Sequence, residues 1–221
     1  MQRSPEPELM DDAAQALAYA RADFSAPHER FVGLLCERTR AHELCGVALD
    51  LGCGPGDITF RVARALPQLS IDGVDGSDAM LKLARADAER RGLANRVRFA
   101  RAYLPADAPP GHAYALVYSN SLLHHLRDPA VLWESAKCYG ASGAPLFVGD
   151  LLRPASEAAA HALVAREASS EPELLQRDFY LSLCAAYTLE EVRAQLAGSG
   201  LAHFALEAVS DRHFIAYGTL P

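Results

Sequence analysis

A chain of 221 residues, half of them hydrophobic, is long enough to bury a sizeable core as one domain. Its formal net charge of −7 argues against a nucleic-acid partner, because nonspecific binding to phosphates draws on clustered Lys and Arg. The five cysteines, Cys36, Cys45, Cys53, Cys138 and Cys184, lack the CxxC spacing of zinc and iron–sulfur sites, so reduced thiols and no metal are expected.

The opening MQRSPEPELMDD has no apolar segment of the secretory kind, and no apolar run is long enough to span a bilayer, so a cytoplasmic protein is expected. Residues 1–8, with Pro5 and Pro7 among charges, read as a frayed terminus. Residues 9–45 read as an N-terminal helical lid: one helix over Leu9 to Arg21, and a second with Ser25 as its cap and Pro27 in its first turn. From residue 46 to 151 the chain alternates in type. GVALDL, LSIDGVD, RVRFAR, YALVYSN and PLFVGDLL read as strands; Asp57 to Leu66, Ser77 to Arg91, and the stretch from Pro129 to Gly140 read as helices. Five strands with crossovers predict a mostly parallel sheet covered on both faces. Residues 152–200 are helical, broken near Glu171-Pro172 and Thr188, and residues 201–221 hold two strand-like runs around Ser210-Asp211, an antiparallel hairpin for the sheet's edge. The whole reads as a single α/β domain of seven strands. Trp133 belongs to a sheet-facing stripe with Leu132 and Ala136, and Arg85, Arg90, Arg91, Arg96, Arg98 and Arg101 read as a solvated face.

The first strand-to-helix turn is DLGCGPGD, at the place where open α/β sheets bind ligands. Gly52, Gly54 and Gly56 lack a Cβ, so they take positive φ at little cost and let a ligand approach the backbone. Their G-x-G-x-G spacing is neither the dinucleotide fingerprint nor the lysine-ending phosphate loop. Asp50 and Asp57 flank the turn and would repel a pyrophosphate, so a cationic ligand fits better. The next strand ends at Asp75, about twenty residues on, where a carboxylate accepts hydrogen bonds from two ribose hydroxyls. A ribose and a positive charge in one ligand point to S-adenosylmethionine.

Together ALDLGCGPGDIT, IDGVDGSDAML and YALVYSNSLLHHLRDP resemble the first, second and fourth motifs of the class I S-adenosylmethionine-dependent methyltransferases, over residues 46–151. The resemblance implies a Rossmann-like doubly wound sheet and S-adenosyl-L-methionine as cofactor, with S-adenosyl-L-homocysteine as product. It places Asp50, Gly52, Cys53 and Gly54 along the methionine part and Asp75 at the ribose. Gly76, Ser77 and Met80 fall near the adenosine, and Asn120, followed by Ser121, beside the sulfonium. Tyr19, from the N-terminal helices, is grouped with them. Where such enzymes often hold adenine with an acid this chain has Tyr103 and Leu104, so a ring stacks on the base or Asp107 reaches in.

Methyl transfer is an in-line displacement, and the protein's main tasks are to align the acceptor and exclude water. His124, His125 and His28 are the candidates for removing an acceptor proton. Phe24, Asp150, Arg177 and Tyr180 are expected to contact the acceptor; for Asp150, hydrogen bonding to backbone amides is the simpler role. The leading expectation is methylation of a small-molecule N, O or S acceptor by a monomer or homodimer. The alternatives are methylation of tRNA or protein, or a cofactor-binding module without catalysis.

Overall fold

Strand β1 (Gly46–Leu51) runs through the centre of the protein because its side chains are buried on both sides: Ala48 in one layer, Leu49 and Leu51 in the other. The computed structural model describes residues 1–7 and 9–221. On one flank of β1 lie β2 (Leu69–Asp75) and β3 (Val97–Arg101), and on the other β4 (Leu116–Asn120) and β5 (Pro145–Leu151), all parallel. The terminal hairpin, β6 (Ala205–Ala208) and β7 (His213–Thr219), adds β7 antiparallel to β5, with β6 outermost. The order β3-β2-β1-β4-β5-β7-β6 reverses direction between β1 and β4. It is the mostly parallel, seven-stranded α/β arrangement expected from the alternating pattern.

Helices α2 (Ser25–Thr39), α3 (Asp57–Ala65) and α4 (Asp78–Arg90) cover one face over Phe31, Phe60, Ile71, Tyr118 and Phe147. Against the other face, α5 (Ala130–Tyr139) and α8 (Leu189–Gly198) pack Trp133 and Leu196 onto Leu49, Val117 and Leu146. Trp133 is fully buried, as its helical stripe predicts, and its indole N–H donates to Gln195 Oε1 at 3.3 Å. Helices α6 (Glu157–Glu167) and α7 (Glu173–Ala185) pack on each other through Leu163 and Leu183, and α1 (Ala13–Arg21) touches α4 and α7. Among the described residues no helix is long and apolar enough to cross a membrane.

Four expectations change in detail. Residues 1–7 are not frayed: Arg3 donates from Nε to Ala185 O at 2.6 Å and from Nη2 to His124 O and Leu126 O, and its guanidinium lies 4.1 Å from the centre of the Tyr187 ring. It thereby satisfies a carbonyl left without a partner at the end of α7 and two more in the loop after β4. Residue 8 lies outside the described residues. The first helix starts at Ala13 and not near Leu9, because the Asp12 carboxylate accepts from Ala14 N and Gln15 N as its cap. At α2 the capping oxygen comes from Asp23, which accepts from Ser25 N at 2.9 Å, so Ser25 lies inside the first turn. Arg96 leaves the solvated arginine face: it turns inward and donates from Nη2 to the carbonyls of Ala63, Leu66 and Leu69.

Candidate active site

At the switch point between β1 and β4 the connecting loops diverge, which opens a cleft outside the carboxyl ends of the strands. Its volume is about 1080 Å³, enough for a cofactor and a second small molecule. The floor is the glycine turn. Gly52, Gly54 and Gly56 have φ of +72°, +51° and +89°, in the region that side chains disfavour. A Cβ on Gly52 would strike the Leu122 side chain at 2.9 Å, whereas one on Gly54 would meet nothing within 4 Å. The turn is therefore packed tightly from behind and open to the cleft at Gly54.

Asp75 joins the two cofactor motifs. Its Oδ2 accepts from Gly54 N at 2.8 Å and its Oδ1 from Ser77 N at 2.9 Å, so the acid ending β2 holds the turn after β1. Burial raises its pKa against the pull of these amides. Asp50, at the end of β1, is 1% exposed, and burial pushes its pKa up to about 7 although the Thr59 hydroxyl donates to it at 2.6 Å. Cys53 is buried and its thiol is pushed up by burial, the state of a small apolar side chain and not of a nucleophile. Ser77 caps α4 by accepting from Met80 N at 3.2 Å, and its hydroxyl donates to Met10 O at 2.8 Å, which ties the N-terminal segment to the cofactor side. Tyr103 donates its backbone N–H to Asp107 Oδ2 at 3.0 Å, and its ring edge lies beside Gly76, where a Cβ would meet it at 3.2 Å. Tyr103 lines the cleft and Asp107 does not.

The N-terminal helices form the opposite wall. Tyr19, Phe24 and His28 make a ladder of rings with centroids 5.0 and 5.4 Å apart. Burial pushes the Tyr19 phenol up to about 12, helped by the carboxylates of Asp57, Asp150 and Asp75, so it remains a hydrogen-bond donor. His28 Nδ1 lies 2.7 Å from Asp57 Oδ2. Burial opposes the charge on Asp57, but hydrogen bonds from His28 and Arg61 outweigh it and hold the pKa down to about 2. An ionised Asp57 keeps the proton on Nδ1 and leaves Nε2 of His28 as the acceptor atom.

The other two histidines differ. His124 is 3% exposed, its Nδ1 is 2.5 Å from Asp150 Oδ1, and its Nε2 is 3.4 Å from Glu6 Oε1. Burial opposes its protonation, yet Asp150 and Glu6 raise its pKa. Burial and the neighbouring His124 together push His125 down to about 3. Asp150 accepts from the amides of Leu123 at 2.7 Å and Leu151 at 2.6 Å as well as from His124, and is 2% exposed. It therefore shapes the loop after β4, the simpler of the two expected roles. Asn120 donates from Nδ2 to Ser121 Oγ at 3.1 Å, and Ser121 holds φ of +58°, a strained value for a non-glycine residue.

Every residue expected at the site lines this cleft except Arg177 and Tyr180. Arg177 is 66% exposed on its side chain and pairs with Asp178, and the Tyr180 ring stacks on His161 with centroids 4.5 Å apart. The face of α7 that meets the cleft is Leu175, Asp178, Phe179 and Ser182. That i, i+3, i+4, i+7 spacing is the sequence signal for the face, and Arg177 and Tyr180 lie beside it. No sequence signal marks Glu6, which the fold brings to His124 across 118 positions.

A doubly wound sheet of this order, with a glycine turn and a clamping acid at its switch point, has the class I methyltransferase fold. Residues 48–140 match the family described as methyltransferase domain. Among curated proteins it is similar to a trans-aconitate 2-methyltransferase of Methylobacterium radiotolerans, 41% identical over 86 residues, covering 39% of this chain and 30% of that one. A second of that name, from Rhizobium meliloti, is 34% identical over 103 residues, covering 47% and 37%. The chain spans about a third of the length of these relatives. Among solved structures, an S-adenosylmethionine-dependent methyltransferase from Aquifex aeolicus superposes with a TM-score of 0.66 at 15% identity, covering 94% of this chain and 98% of that one. The plantazolicin methyltransferase BpumL, in complex with a monoazolic desmethylPZN analog and SAH, gives 0.69 at 15%, covering 93% and 94%. At these identities the structures share the fold.

Proposed function

We propose that this chain transfers a methyl group from S-adenosylmethionine to a small-molecule acceptor. One observation carries the reading: the Gly54 N–H on the Asp75 carboxylate at 2.8 Å, which sets a bare backbone turn beside an acid suited to ribose hydroxyls. The remaining lone pairs of Asp75 would take the ribose hydroxyls, Gly52 and Gly54 the close approach of the methionine part, and the Tyr103 ring the adenine. When bound, the cofactor supplies an already electrophilic methyl group. The residues of the chain then orient, shield and deprotonate. Tyr19 and Phe24 cover the reacting region against water, and His28, oriented by Asp57, accepts the acceptor's proton on Nε2.

The size of the cleft and the relatives, whose name specifies trans-aconitate, support a small-molecule acceptor. Arg30 and Arg212 also line the cleft, which makes small carboxylic acids the first acceptors to screen. The net charge of −7 keeps RNA outside this reading. The test is incubation with methyl-labelled cofactor and a metabolite extract, followed by mass spectrometry. One methyl gained by a small molecule supports the proposal; label appearing only on tRNA or protein overturns it. With an acceptor in hand, His28→Asn should lower kcat about a hundredfold and leave S-adenosylhomocysteine affinity unchanged.

Asp50 sets the expected pH dependence. With a pKa of about 7 it is largely neutral at pH 6, and the ammonium and sulfonium of the cofactor favour its ionised form. Affinity should therefore fall as pH drops below 7, by up to about tenfold per unit. Calorimetry near pH 6 in buffers of different ionisation enthalpy should detect a proton released on binding. Equal apparent enthalpies in all buffers would remove Asp50 from the ammonium site.

A further inference from the structure

Where the N-terminal segment crosses the loop after β4, one carboxylate oxygen and two imidazole nitrogens converge. Glu6 Oε1 lies 3.4 Å from His124 Nε2 and 3.4 Å from His125 Nδ1, and all three atoms fall within 4.8 Å of one another. The side chains of Glu6 and His124 are 7% and 3% exposed. Glu6 Oε1 is buried and has no hydrogen-bond partner, a costly state for a carboxylate oxygen. Its other oxygen is held by the Ser182 hydroxyl at 3.3 Å, which aims Oε1 at the two rings. Pro7 O, the other oxygen near His125 Nδ1, stands at 3.4 Å, beyond a good hydrogen bond.

From this geometry we infer a binding site for a divalent transition ion, of which Zn²⁺ is the best match, held by Glu6 Oε1, His124 Nε2 and His125 Nδ1. A tetrahedral ion with bonds of about 2.0–2.1 Å keeps its donor atoms roughly 3.3–3.4 Å apart, the spacing found on the two edges through Glu6. Two imidazoles and a carboxylate form a donor set that suits zinc and leaves a fourth position for water. Asp150 supplies the usual outer support: its Oδ1 lies 2.5 Å from His124 Nδ1, which fixes the proton of the neutral imidazole on that nitrogen and turns the Nε2 lone pair to an ion. The expectation of no metal rested on cysteine spacing, and this donor set contains no cysteine.

The test needs neither cofactor nor turnover, so its outcome is separate from that of the methyltransferase reading. The full chain, stripped with a chelator, is titrated with Zn²⁺ by calorimetry and with Co²⁺ in the visible spectrum. One ion per chain is expected, with the d–d absorption of a four-coordinate nitrogen and oxygen site and no thiolate charge-transfer band. Glu6→Gln and His125→Gln should each lower Zn²⁺ affinity about a hundredfold, with circular dichroism confirming the fold. Failure of the wild-type chain to hold an ion, a thiolate band, or wild-type affinity in either variant overturns the site. Should a variant not fold, the Co²⁺ spectrum of the wild-type chain decides.

Discussion

Asp75→Ala should weaken S-adenosylhomocysteine binding by about two to four orders of magnitude while the protein stays folded. The carboxylate has a double task. It would accept two charge-assisted hydrogen bonds from the ribose, each worth roughly 1.5–3 kcal/mol, so their joint loss is about 3–6 kcal/mol. It also accepts from the amides of Gly54 and Ser77 at 2.8 and 2.9 Å, and without it the glycine turn loses the group that holds it toward β2. Both amides border the cleft, where water replaces the lost acceptor, so the effect falls on binding more than on stability. Asp75→Asn should recover part of the affinity, since its amide oxygen still accepts while the charge is gone. Calorimetric titration measures all three proteins, and undiminished affinity in Asp75→Ala would mean that the ribose lies elsewhere.

The second large effect is structural. Asp150→Ala should cost about 3–5 kcal/mol of stability, the penalty for removing one partner of a buried charge pair. Asp150 is 2% exposed and is the acceptor for His124 Nδ1 and for the amides of Leu123 and Leu151, all in the interior. Alanine leaves these donors without an acceptor and out of reach of bulk water. Cutting that support frees the loop carrying His124 and His125, which Arg3 otherwise grips through His124 O and Leu126 O. Thermal unfolding followed by circular dichroism should show a Tm lower by roughly 10 °C, on the scale of a protein this size. A shift of only a degree or two would show that Asp150 is a peripheral acceptor and that the loop holds its own shape.

The glycine turn and Asp75 are legible in the sequence because they rest on local elements. A glycine turn is encoded by residues that take positive φ, and Asp75 stands at a fixed distance from it because a helix and a strand of ordinary length intervene. The alternation of apolar runs with helical periods likewise dictates a parallel sheet, since strands buried on both faces cannot show the two-residue alternation of an exposed sheet. The rest of the cleft is legible only in part. Tyr19, Phe24 and His28 of the N-terminal helices line it, whereas on α7 charge and aromaticity point to Arg177 and Tyr180 and the helix turns Leu175, Asp178, Phe179 and Ser182 to the cleft instead.

The sheet, the glycine turn and the acid that clamps it are thus written in the sequence, all consequences of backbone preference and periodicity within short stretches of chain. Only the tertiary structure decided that Asp150 spends its lone pairs on a loop, that Asp57 orients His28, and that Glu6 is brought to His124 and His125. These are pairings between distant residues, fixed by how buried polar groups find partners once the core has closed, and no local pattern of residues encodes them.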